Sequence, residues 1–137
     1  MDIVSRVKAL NFPLGQYCVF GSGVLEIHGI RKARDVDLLV TDELYQRLKR
    51  EGWRRKWIFW RTLWAKCVTN GEYEAFTNIY WGSTYRPDTR ALIERAEFHD
   101  DVPFLQLSDL LEFQRHLPRA KDKQSVRLIE KYLADKQ

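Results

Sequence analysis

Apolar side chains in this chain recur with two different periods, and the switches between those periods lay out its elements. Ile3, Val4, Val7 and Leu10 fall at helical spacing after Asp2, and Pro13 closes that segment. The unbroken apolar run Tyr17-Cys18-Val19-Phe20 predicts a short buried strand leading directly into Gly21-Ser22-Gly23. Val24, Leu25 and His28 suit one or two helical turns closed by Gly29, and Asp35–Val40 predicts a second strand with an apolar end. Thr41 is placed to N-cap a helix that carries Leu44 and Leu48 and stops at Gly52.

Beyond Trp53 the pattern turns to strands. Lys56–Phe59 and Thr62–Val68 are rich in aromatic and β-branched residues, and Asn70-Gly71 reads as a two-residue hairpin turn leading into a third strand, Glu72–Tyr80. Gly82 and Pro87 mark a loop, Thr89–Ala96 is helical, and Val102–Leu107 is short and extended. Ser108 is positioned to cap a helix through Leu111, and Pro118 interrupts it. Lys121–Leu133 then forms a last amphipathic helix with Val126, Ile129 and Leu133 on one face.

Composition narrows the class without naming a function. At 137 residues the chain is most simply one α/β domain, and 45% hydrophobic with 31% charged residues is ordinary for a soluble globular protein. No apolar run approaches the roughly 20 residues that cross a bilayer, and the N-terminus has no basic stretch followed by a long apolar one. Cys18 and Cys67 are far apart, so neither a disulfide framework nor a zinc site is expected, which fits a reducing cytoplasm. A net charge of +4 suits a polyanionic partner, and a nucleotide satisfies it as well as a nucleic acid does.

The chemistry concentrates in Gly21-Ser22-Gly23 and in Asp35-Val36-Asp37. On a strand rising about 3.3 Å per residue, Asp35 and Asp37 share a face roughly 7 Å apart, where a divalent cation relieves their repulsion. The glycine turn offers backbone N–H groups to a phosphate. An exposed edge strand would also carry such a pair, but aspartate is disfavoured in strands. No His-Asp partner is placed to make Ser22 a nucleophile.

The segment Phe20-Gly21-Ser22-Gly23-Val24-Leu25, followed by Arg31-Lys32-Ala33-Arg34-Asp35-Val36-Asp37, resembles the nucleotidyltransferase fold of the DNA polymerase β superfamily. Within it the chain is similar to small, mostly prokaryotic stand-alone members of the minimal, AbiEii-like kind. Arg119-Ala120-Lys121-Asp122 and the helix after it resemble the closing helix of such proteins. The resemblance implies an α/β (α+β) fold in which helices pack on a mixed sheet. It divides the single domain 1–137 into a core of about 1–82 and a C-terminal helical part of about 88–137. It also implies that Gly21, Ser22 and Gly23 hold the phosphates of an NTP. Asp35, Asp37 and a third carboxylate would hold two Mg²⁺ (or Mn²⁺) ions, and an NMP would pass to a hydroxyl acceptor of unknown identity.

Glu72 and Glu74 share a face of the strand after Asn70-Gly71. Glu72 abuts the turn, so Glu74 is the favoured third acid and Glu72 stays open. Arg34 and Lys121 are candidate substrate contacts, with a solvated loop and a helix start as their plainer readings; Asp122 in the first helical turn is read as favourable to the dipole. The cluster Trp53, Arg54, Arg55, Lys56, Trp57, Trp60 and Arg61 resembles a base-stacking surface, but half-buried strand aromatics are the preferred reading. His28 reads as a packed or surface histidine, and His99 and His116 show no metal-ligand spacing. Two alternatives stand beside catalysis. One is an inactive nucleotide- or RNA-binding member or a toxin–antitoxin component; the other is a nucleic-acid binder without a nucleotide site. A homodimer or a partner protein is compatible with each.

Overall fold

A computed structural model describes residues 1–57 and 66–136. Among these residues seven strands form one mixed sheet, and six helices accompany it. In chain order these are α1 (Ile3–Lys8), β1 (Tyr17–Phe20), α2 (Ser22–Ile27), β2 (Val36–Val40), α3 (Asp42–Arg50), β3 (Arg54–Lys56), β4 (Cys67–Thr69), β5 (Tyr73–Phe76), α4 (Thr89–Glu94), β6 (Glu97–His99), β7 (Val102–Phe104), α5 (Leu107–His116) and α6 (Ala120–Asp135). The strand order is β3-β4-β5-β2-β1-β7-β6. The expected α/β architecture, a mixed sheet with packed helices and C-terminal helices, is therefore present.

The two central strands carry the site. β1 and β2 are antiparallel with Phe20 opposite Asp37, and β2 runs parallel to β5 with Asp37 beside Glu74. Apolar residues fill both faces of β1 and most of β2, and one hydrophobic cluster runs from Ile3 to Ile129. Cys18 and Cys67 lie buried within it, and burial pushes the Cys18 thiol far up. Thr41 caps α3 as expected, its hydroxyl accepting from the Leu44 N–H at 3.3 Å.

Several boundaries differ from the sequence reading, each for a local reason. Asp35 lies one residue before β2. At the β4–β5 hairpin Gly71 takes φ +99°, whereas Asn70 acts through its side chain: its Oδ1 accepts from the N–H groups of Glu72 and Tyr73 at 3.0 and 2.9 Å. Glu72 is thereby drawn into the turn. β5 ends at Phe76 rather than Tyr80, since Asn78 Oδ1 accepts from the Tyr80 N–H at 3.0 Å and makes a second such turn. Strand β3 covers Arg54–Lys56 and β4 Cys67–Thr69; residues 58–59 and 62–65 of the predicted strands Lys56–Phe59 and Thr62–Val68 lie outside the described residues.

The C-terminal half departs further. Strand β6 was not expected; it pairs with β7 across a two-residue turn in which Asp100 and Asp101 both take positive φ (51° and 67°), as a type I′ hairpin requires. Helix α5 begins at Leu107, with Gln106 in the N-cap position, so Ser108 is not its cap. Its apolar face continues past Leu111 to Phe113, and the helix closes where Leu117 turns extended (ψ 134°) ahead of Pro118.

Candidate active site

A cleft of about 750 Å³ opens where the C-terminal end of β1 meets the N-terminal ends of β2 and β5, with the start of α6 forming its far wall. Gly21, Ser22, Arg34, Asp35, Asp37, Glu74 and Lys121 all line it. Residues spread over a hundred positions thus share one cavity. Glu72 lies in the hairpin turn, outside the cleft lining, and Gly23 sits one step behind the wall.

The two glycines have different physical reasons. Gly21 takes φ +68°, and a Cβ there would stand 3.0 Å from Asp37 Oδ2, so both the turn and the close carboxylate require glycine. Gly23 is buried in α2, where a Cβ would meet Val19 Cγ1 at 2.5 Å and Ile3 at 3.2 Å; it lets the helix lie close on β1 and α1. Between them the Ser22 hydroxyl donates to the Asp35 carbonyl at 3.2 Å, tying the turn to the entrance of β2.

Electrostatics single out Asp37. Burial, then Glu74 on the adjacent strand and Asp35 two residues upstream, push its carboxyl up to about 7, with Lys56 and Lys121 pulling the other way. A carboxylate that is costly to ionise beside two more acids is a hard oxygen-donor set with charge to be neutralised, which fits a divalent cation of the magnesium type. The acids are not converged for one: Lys56 on β3 makes an ion pair with Glu74 Oε2.

The rest of the wall is basic. Among the described residues, six cationic and four acidic side chains line the cleft. Of these, Lys56 pairs with Glu74, and Arg119 holds buried Asp122 in a two-pronged contact at 2.7 and 3.1 Å. Outside those two pairs remain Arg31, Lys32, Arg34 and Lys121 against Asp35 and Asp37, an excess that favours an anionic ligand. Asp122, read from sequence as a dipole partner, is a buried anchor for Arg119 at the start of α6.

Two participants, Gln114 and Glu26, were missed from the sequence, and Lys56, named there only within the aromatic and cationic cluster, takes a different partner. Lys56 reaches Glu74 only because β4 seats β3 two strands away. Gln114 occupies the inward face of α5 and lines the cleft, and its Oε1 is buried without a hydrogen-bond partner among the described residues. Glu26 accepts from the backbone N–H groups of Ile3 and Ala33 at 2.8 and 2.9 Å, so one carboxylate fixes both α1 and the loop that delivers Arg34 and Asp35. A polar residue at a core-periodic position was the available signal for Gln114.

The aromatic cluster divides. Trp53 is half-buried, packed near Phe12 and Tyr73, as strand aromatics do. Trp57 is 67% exposed at the cleft, with the Arg55 guanidinium 4.7 Å over its ring. Trp60 and Arg61 lie outside the described residues.

No protein-family profile matches the chain, and no curated protein matches its sequence. Among solved structures, the chain is similar to the crystal structure of ANT(2″)-Ia in complex with adenylyl-2″-tobramycin. That likeness covers 98% of this chain and 88% of the other at 16% identity, with a TM-score of 0.48. Among the described residues no helix is long and apolar enough to cross a membrane.

Proposed function

We propose that the protein is a Mg²⁺-dependent nucleotidyltransferase that moves a nucleoside monophosphate from an NTP to a hydroxyl acceptor. The carrying observation is the alignment of Asp37 beside Glu74 on parallel neighbours, with Asp35 one residue ahead of β2, facing a basic cleft. In such a reaction the acceptor oxygen bonds to the α-phosphorus, the bond to pyrophosphate breaks, and the hydroxyl proton is released. A divalent cation of the magnesium type supplies charge for the phosphates and lowers the pKa of a hydroxyl beside it. Asp35, Asp37 and Glu74 would hold that cation. Gly21 and Ser22 would meet the phosphates, and Arg34 and Lys121 would hold the triphosphate or the acceptor. The exposed Trp57 face offers a stacking platform for a base.

The decisive experiment is calorimetric titration with a non-hydrolysable NTP and Mg²⁺, alongside transfer of label from an α-labelled NTP into acceptor pools. Mg²⁺-dependent binding and labelling are expected, both lost in Asp35→Ala and Asp37→Ala. Absence of both in the wild type, with the variants indistinguishable from it, overturns the proposal.

One observation favours a second reading. The Lys56 ammonium already neutralises Glu74, so a nucleotide or RNA could be bound by the basic wall without metal. That reading of a non-catalytic binder, alone or within a two-protein pair, expects NTP or RNA binding that survives chelation and no labelled acceptor.

A further inference from the structure

Outside the cleft lining, His28, Glu97 and His99 bring ligand-bearing atoms within 4.8 Å of one another, and among the described residues no other trio is so arranged. His28 is the C-cap residue of α2, while Glu97 and His99 are alternate residues of edge strand β6 and share a face. Their separation along the chain is why no motif announces them. We propose that His28, Glu97 and His99 form a binding site for a borderline divalent transition-metal ion of the zinc, cobalt or nickel class, which fastens α2 to the β6–β7 hairpin.

The donor set is the first argument: two imidazoles and a carboxylate suit such ions and leave a coordination position for water. The spacing is the second. His99 Nε2 and Glu97 Oε1 stand 3.0 Å apart, close to the roughly 3.3 Å separating two ligands each about 2.0–2.1 Å from a tetrahedral ion. The support around the ligands is the third. Tyr132 Oη lies 3.4 Å from His28 Nδ1, so the hydroxyl can accept the Nδ1–H and leave Nε2 to face the ion. The His28 ring meets His99 and Tyr132 edge-on at 5.8 and 5.7 Å, and His99 stands edge-on to Phe104 at 5.5 Å, which fixes both imidazoles. The site is chemically separate from the all-oxygen acids of the cleft, and stands whether or not the proposed transfer reaction does.

The test uses the full chain stripped with a chelator, then titrated with Co²⁺ by visible absorption and with Zn²⁺ by calorimetry. With Mg²⁺ in excess to occupy the acids of the cleft, one equivalent is expected in the wild type, with affinity falling by more than about tenfold in His28→Ala, His99→Ala and Glu97→Gln. The double variant Asp35→Asn/Asp37→Asn and the variant His116→Ala should bind as the wild type does. Circular dichroism and thermal midpoints in chelator show which variants fold, and His99→Gln replaces any alanine variant that does not. The proposal is overturned if the wild type takes up no Co²⁺, if the folded histidine variants bind unchanged, or if the equivalent disappears with the aspartates or His116 instead.

Discussion

Asp37 sets a measurable conflict between the charge of the site and the stability of the fold. Its carboxyl is raised from an ordinary 3.8 to about 7. The folded chain therefore holds the proton more tightly than the unfolded chain does. Stability from this group is fully present below 3.8 and is lost as pH rises through about 7. At 1.36 kcal/mol per tenfold change, the wild type without divalent cations should give up about 4 kcal/mol by pH 8 and roughly 2.5 kcal/mol of that between pH 5 and pH 8. Asp37→Asn removes the titration and keeps the shape. In chelator at pH 8 the variant should melt higher than the wild type, by about 10 °C for a chain of this size, and the gap should shrink towards pH 5. The assay is thermal denaturation by circular dichroism from pH 5 to pH 8, with and without Mg²⁺. Magnesium should raise the wild-type midpoint at pH 8 and leave Asp37→Asn unmoved. Parallel pH curves for the two proteins in chelator would refute the reasoning.

Three further substitutions test the supporting architecture. Gly23→Ala forces a methyl into the Val19 side chain and should cost about 1–3 kcal/mol in urea denaturation. Glu26→Ala strands the Ile3 and Ala33 N–H groups and should cost about 1–3 kcal/mol, with weakened NTP binding because the loop bearing Arg34 loses its anchor. Lys56→Met removes a half-exposed ion pair worth no more than about 1 kcal/mol, yet should tighten Mn²⁺ binding measured by calorimetry, since Glu74 is released.

What the sequence made legible was local. Gly21-Ser22 and Asp35-x-Asp37 are short-range patterns, and their placement follows from a tight turn and a period of two. Glu74 follows from counting along the strand from Asn70-Gly71. What stayed hidden depends on elements meeting. Lys56 finds Glu74 through an intervening strand, and His28 meets His99 only once β6 pairs with β7. The hairpin at Asp100-Asp101 escaped because aspartate at both positive-φ positions lacks the glycine that usually marks such a turn. Helix α5 outruns its local pattern at both ends: burial of Leu107 starts it ahead of Ser108, and burial of Phe113 and Gln114 carries it past Leu111.

The Lys56–Glu74 pair has a consequence for the order of events in the life of the chain. Three acids gathered beside a hydrophobic core would otherwise oppose their own assembly until an ion arrived. An ammonium group carried on the outermost strand acts as a place-holder, so folding need not wait for loading. On the proposed function, a divalent ion would have to displace the Lys56 ammonium from Glu74, leaving it at the cleft wall beside where an incoming phosphate would lie. One side chain would thus serve first as a tenant and then as a neighbour.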